Sequence, residues 1–176
     1  MDLLDFEAED LYFDETLDEE VKMLIAEAGQ QYAEGSAELP LLRAYFLAPR
    51  SLTALVAVYR FYYYQHRLQD ALIVADRALE ISASQLGIPV DWHSLDQALI
   101  DLAGATSMTL LRFHLMSLKA AAYLKVRVGL ALEGKAILEK LMELDGSNRL
   151  GAKELLEVVD RTLFPESTFP SIGQSA

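Results

Sequence analysis

Residues 52–85 read LTALVAVYRFYYYQHRLQDALIVADRALEISASQ, and the spacing inside this stretch decides the fold. Its Ala71-x6-Ala78-x4-Ala83 repeats, 34 residues later, the arrangement Ala37-x6-Ala44-x4-Pro49. A third copy, Gly134-x6-Leu141-x4-Gly146, lies a further 63 residues on, which is 34 plus an insertion of 29. The segments ahead of these match too: Val21-x2-Leu24-Ile25-x2-Ala28 corresponds to Leu55-x2-Val58-Tyr59-x2-Tyr62 and to Leu118-x2-Ala121-Ala122-x2-Lys125. Residues three and four apart share one helix face. Small residues at fixed points let two such faces approach closely, so each copy predicts a packed pair of helices.

The flanking sequence agrees with helices throughout. Ala, Leu and Glu are abundant, and β-branched alternation is nearly absent. Thr16-Leu-Asp-Glu19 reads as a capping box opening a helix to about Ala33, which Gly35 stops. A second helix, about Ala37 to Leu47, carries Pro40 in its first turn and ends at Pro49. Ser51 is the N-cap of the third, and the fourth covers about Leu68 to Ser82. After the Gly87-Ile-Pro89 loop, Ser94-Leu-Asp-Gln97 repeats the capping-box pattern before a short helix that Gly104 ends. Helices over about Met108–Arg127, Leu132–Leu144 and Leu150–Leu163 complete an all-α chain.

A helix pair with a period of 34 resembles the tetratricopeptide repeat (TPR) family. The resemblance covers three repeats, residues 18–51, 52–85 and 115–148. It departs from the family at the usual Trp, here Val21, Leu55 and Leu118, and at the turn glycine, kept only as Gly129, with Tyr32 and His66 in the other copies. It implies a TPR-like α-α superhelix of about seven or eight antiparallel helices, forming one domain over residues 16–163. The insertion, residues 86–114, would add a short helix, and residues 149–163 would form the C-terminal capping helix that such arrays need. Residues 1–15 are an acidic-apolar arm and residues 164–176 a polar tail expected to be disordered. A generic helical bundle is the alternative reading of the same helices.

Composition narrows the function. The 176 residues contain no Cys, which excludes disulfides, thiolate metal sites and a cysteine nucleophile. No apolar run reaches about 18 residues, and the chain starts with acids rather than a basic signal segment. A cytoplasmic protein is expected. The net charge is −12, and residues 1–20 hold ten acids and no base. Subtracting these from 27 acids leaves 17 against 15 bases in residues 21–176. A nearly neutral body with an acidic arm does not suit phosphate backbones or anionic lipid, so neither nucleic acid nor membrane is an expected partner.

No catalytic constellation stands out. His66, His93 and His114 lack metal-ligand spacing, and there is no phosphate loop, G-x-G-x-x-G or G-x-S-x-G. Asp91-Trp-His93 reads as a surface pair in a loop, and His114, among Leu110, Leu111, Phe113 and Leu115, as a helix-face or core histidine. No cofactor, metal or catalytic residue is expected.

The aromatic run Tyr59-Arg-Phe-Tyr-Tyr-Tyr64 is the unusual feature. A helix spreads these rings around its circumference, so some face away from the core. In the resembled family the first helix of each pair lines a concave groove. Carried over, that face would present Thr53, Val56, Arg60, Tyr63 and Tyr64, then Met116, Lys119, Tyr123, Val126 and Arg127. Arg60, Tyr63, Tyr64, Lys119, Tyr123 and Arg127 make it basic and aromatic, suited to a peptide with acidic and apolar residues. The competing reading keeps Tyr59 and Tyr62 in the core and uses the others to cover the inserted helix.

The expected function is therefore a non-catalytic protein-interaction module, an adaptor, assembly factor or small chaperone. A secretion-type chaperone with three such repeats is a second reading, and a helical-bundle enzyme a third. The partner is another protein or peptide. The arm's own Leu4, Phe6, Tyr12 and Phe13, interleaved with acids, could also occupy the groove.

Overall fold

The computed structural model describes residues 15–32 and 36–163. The arm, residues 1–14, and the tail, residues 164–176, lie outside the described residues. Eight α-helices follow one another, with no strand among the described residues: α1 Glu19–Gln30, α2 Glu38–Leu47, α3 Leu52–Tyr64, α4 Leu68–Leu86, α5 Gln97–Thr106, α6 Met108–Arg127, α7 Ala131–Leu144 and α8 Ala152–Leu163. A short 3-10 turn, Trp92–Ser94, precedes α5.

Each helix packs on the next, except that α4 passes over the insertion to pack on α6, and α5 sits against α6. Cross-contacts give the directions. Arg67, just past the end of α3, pairs with Glu38 at the start of α2 at 2.8 Å. Arg50, before α3, lies 3.5 Å from Ser84 near the end of α4. Lys135 near the start of α7 pairs with Asp160 near the end of α8 at 2.5 Å. In each of these three pairs the helices are antiparallel, and Ser82 near the end of α4 meeting His114 in the first half of α6 shows the same for α4 and α6.

The repeated positions are where the helices meet. Ala37, Ala71 and Ala122 are fully buried, and Val21, Leu55 and Leu118 are at most 2% exposed. Ala44, Ala78 and Leu141 are buried with them. Gly134 belongs to this set because α6 crosses directly over it. A Cβ there would lie 2.5 Å from the Ala122 carbonyl oxygen. Burial of these side chains is the main driving force, roughly 1.5–3 kcal/mol for each large apolar one.

Several boundaries differ from the sequence expectations. Helix α1 begins after Asp18 and ends at Gln30, short of Ala33, and no side chain caps its start. The capping box at Thr16 is not used. Helix α4 continues a turn beyond Ser82, where Ser82, Ala83 and Leu86 are all buried, Ser82 against His114 of α6. Asp96, not Ser94, caps α5, its carboxylate accepting the Leu99 amide at 2.8 Å. Gly104 lies within α5, which runs on to Thr106. Ser51 caps α3 as expected, accepting the Ala54 amide at 3.1 Å.

Candidate functional site

The aromatic run of α3 divides between the two sides of the helix. Tyr59, Phe61 and Tyr62 are buried. The Tyr62 hydroxyl donates to Glu38 Oε1 at 3.0 Å, and the Arg67 guanidinium covers its ring at 4.4 Å. Burial, reinforced by Glu38, raises the Tyr62 pKa above its ordinary value. Tyr62 thus closes the α2–α3 seam.

Tyr63 and Tyr64 face elsewhere. Tyr63 stacks on Tyr59 one turn earlier, with centroids 5.9 Å apart, and meets Tyr123 of α6 at 6.3 Å. Tyr64 packs edge-on against Tyr63 at 5.7 Å and Tyr32 at 6.5 Å, leaving 45% of its surface exposed. Arg127 donates to the Tyr123 hydroxyl at 2.5 Å and lies 5.6 Å from the ring centroid. Arg60 is partly buried, its carbonyl accepting the Tyr32 hydroxyl at 3.1 Å. Edge-on and stacked pairs of this kind favour rigid rings with polar tips. Four of the six expected groove residues, Tyr63, Tyr64, Tyr123 and Arg127, are joined by these contacts, and Arg60 meets them only through its carbonyl.

Lys119 is the exception and a correction. It is 4% exposed, and its ammonium donates to the Leu150 carbonyl in the turn before α8. The helical period puts it on the α6 face shared with Tyr123, but the α7–α8 turn covers that part of the face. Its charge is committed to packing.

A second concave surface was not expected from sequence. An open cleft of about 1000 Å³ lies between α5, the first half of α6 and the α7–α8 turn. Leu111, Leu115, Leu144 and Leu150 line it together with Met108 and Met116, and Arg112 and Arg149 stand on it. Asp101 and Asp145 also line it. Asp101 accepts the Gln97 amide at 2.9 Å, and Asp145 accepts the Leu150 backbone amide at 2.7 Å. The insertion and the thioethers at the start of α6 were the sequence signals, and methionine suits surfaces that adapt to different ligands.

The histidines do not converge. His114 is buried, with Nδ1 2.8 Å from Ser82 Oγ, and burial lowers its pKa to about 4. His93 is exposed and pairs with Asp91 at 2.8 Å, as read from the sequence. Among the described residues no three His, Cys, Asp or Glu side chains gather to hold a metal ion. Among the same residues, no helix is long and apolar enough to cross a membrane.

No family model matches the chain, and no solved structure matches it. A curated protein of Azotobacter chroococcum mcd 1, described as "Uncharacterized 19.8 kDa protein in nifW 5'region", is 49% identical over 159 residues, which is 90% of this chain and 89% of the relative. The chain belongs to the family of that 19.8 kDa protein.

Proposed function

We propose that this protein is a TPR-like, non-catalytic interaction module that holds an acidic-apolar segment of another protein on the Tyr63–Tyr123 surface. The single observation that carries the reading is the ring contact between Tyr63 and Tyr123, 6.3 Å apart on two helices that belong to different repeats. It joins two helices into one amphipathic platform, with Tyr64 exposed at its edge and Arg127 anchored on Tyr123. Aromatic and arginine side chains in that arrangement are the residues most often found to dominate binding energy. Burial of the positions that recur at the 34-residue spacing supports the repeat reading: Ala37 and Ala71 have zero exposure, and Ala44, Ala78 and Leu141 are at most 4% exposed.

The relative is described by its position in the nifW 5' region. Proteins encoded beside this chain's own gene are therefore the first partners to test. Full-length protein would be titrated with each candidate, beside variants Tyr64→Ala and Arg127→Ala. The expected result is saturable binding to at least one, weakened by about tenfold or more in each variant, as for an interface anchor. Binding that neither substitution alters would remove this surface from the assignment.

A further inference from the structure

We infer that the cleft between α5, α6 and the α7–α8 turn is the docking site of the chain's own acidic arm, residues 1–14, bound in cis. This surface is distinct from the Tyr63–Tyr123 platform, and the inference does not rest on the partner reading.

The arm starts beside the cleft. Residue 15, the first described, is held at the N-terminus of α3: Glu15 Oε1 accepts the Leu52 amide at 2.9 Å, and Oε2 accepts the Ser51 hydroxyl at 2.8 Å. Helices α3 and α6 both run antiparallel to α4, so they are parallel to each other. Because Tyr63 meets Tyr123, residues 60 apart lie level on the two helices, which places Thr53 level with Phe113. An independent path agrees: Arg50 lies 3.5 Å from Ser84, and Ser82 lies 2.8 Å from His114. Arg112 and Leu115, on either side of Phe113 and His114, line the cleft. Fourteen residues reach about 46 Å when extended, whereas the whole of α6 is only about 30 Å long. The arm needs a fraction of its length to arrive.

The chemistry matches. Residues 1–14 carry Asp2, Asp5, Glu7, Glu9, Asp10 and Asp14 with no base, interleaved with Leu3, Leu4, Phe6, Leu11, Tyr12 and Phe13. The cleft offers an apolar floor, with Met108 59% exposed, and the exposed guanidiniums of Arg112 and Arg149. Among the described residues the arginine ion pairs belong to Arg67, Arg77 and Arg161, so neither cleft arginine has one. The two cleft carboxylates are occupied in the walls, by Gln97 and by the Leu150 amide. Tethering gives the arm an effective concentration near the millimolar range, so weak contacts suffice.

The chain has no cysteine and five methionines, which makes a direct test possible. Full-length protein carrying Ala8→Cys would be spin-labelled at that thiol, and its methyl-labelled methionines observed by NMR. Selective loss of the Met108 and Met116 signals is expected, with Met23 unaffected and no change on dilution into unlabelled protein. Adding Arg112→Glu with Arg149→Glu, both at exposed positions, should restore the lost signals, and so should added salt. Equal loss at Met23, Met108 and Met116, or loss at Met23 alone, would overturn the assignment. Loss that disappears on dilution would mean that a second copy's arm is the occupant, and loss indifferent to the arginines would remove the charge argument.

Discussion

Glu15 Oε1 accepts the backbone amide of Leu52 at 2.9 Å, so a residue ahead of α1 caps the helix that opens the second pair. Its other oxygen accepts the Thr53 amide at 3.2 Å and the Ser51 and Thr53 hydroxyls. Amides free at a helix start and the positive end of its dipole both favour a carboxylate there. Glu15→Ala should cost about 1–2 kcal/mol in urea unfolding, as for loss of a cap. Glu15→Gln should cost less, because its amide oxygen can still accept. Unchanged stability in the alanine variant would show that the contact contributes nothing.

Gly134 tests the closest helix crossing. Alanine is normally favoured over glycine inside a helix by about 1 kcal/mol. Here its Cβ would lie 2.5 Å from the Ala122 carbonyl oxygen and 2.7 Å from Val126 Cγ2. Overpacking of that kind typically costs about 1–3 kcal/mol, so Gly134→Ala should lower stability despite its better propensity. The equivalent Ala71→Leu should do the same at α3–α4. A stabilised Gly134→Ala protein would mean that α6 and α7 do not cross this tightly.

The turn after each first helix gives a third measurement. His66, just after α3, has φ +57°, and Gly129, just after α6, has φ +95°. Left-handed backbone costs a residue with a Cβ about 1 kcal/mol, and glycine nothing of that kind. His66→Gly should therefore raise the urea midpoint, by roughly 0.5–1 kcal/mol in stability. A fall would show that the His66 side chain makes a compensating contact.

What was legible in the sequence follows a physical line. Positions whose reading needs only one helix face, such as Ala37, Ala71 and Leu118, were found by spacing alone and are buried. Helix starts were found only to within a few residues. Asp18 and Asp96 stand within two residues of Thr16 and Ser94; Asp96 caps α5 with its carboxylate, whereas α1 starts without a side-chain cap, so several neighbouring polar residues offer the same local signal. The fate of Lys119 depends on α8, contributed by a segment 31 residues away, and no periodicity in α6 carries that information. The cleft joins Asp101, Arg112 and Arg149 from three separate segments, so its existence is a property of packing.

His114 makes stability depend on pH in a defined direction. Burial lowers its pKa from the ordinary 6.5 to about 4, so the folded protein takes up the proton less readily than the unfolded chain. The neutral ring's stabilising effect is complete above about pH 6.5, declines as pH falls, and is fully lost near pH 4, where the folded protein also becomes protonated. The span corresponds to roughly 3 kcal/mol. The Ser82 hydroxyl lies 2.7 Å from the Ala78 carbonyl, and with its proton given there it accepts from His114 Nδ1–H at 2.8 Å. Urea unfolding at several pH values should show this slope. His114→Gln should flatten it, and a variant with the wild-type slope would place its origin elsewhere.

Lys119 separates a packing role from a binding one. Its ammonium donates to the Leu150 carbonyl, and Leu150 belongs to the turn that leads into α8. Lys119→Met keeps most of the stem inside α6 but leaves the carbonyl without that donor, at a cost of about 1–3 kcal/mol for an unsatisfied buried group. The loss should be local first, because α8 is the last helix among the described residues and packs mainly on α7 and α6. Hydrogen exchange should therefore quicken across residues 150–163 before it changes in α3 or α4. Affinity for a partner on the Tyr63–Tyr123 platform should stay within about twofold, since the residue does not reach that surface when charged and bonded. If Lys119→Met instead weakened binding by about tenfold while exchange in α8 held steady, Lys119 would be a ligand contact after all.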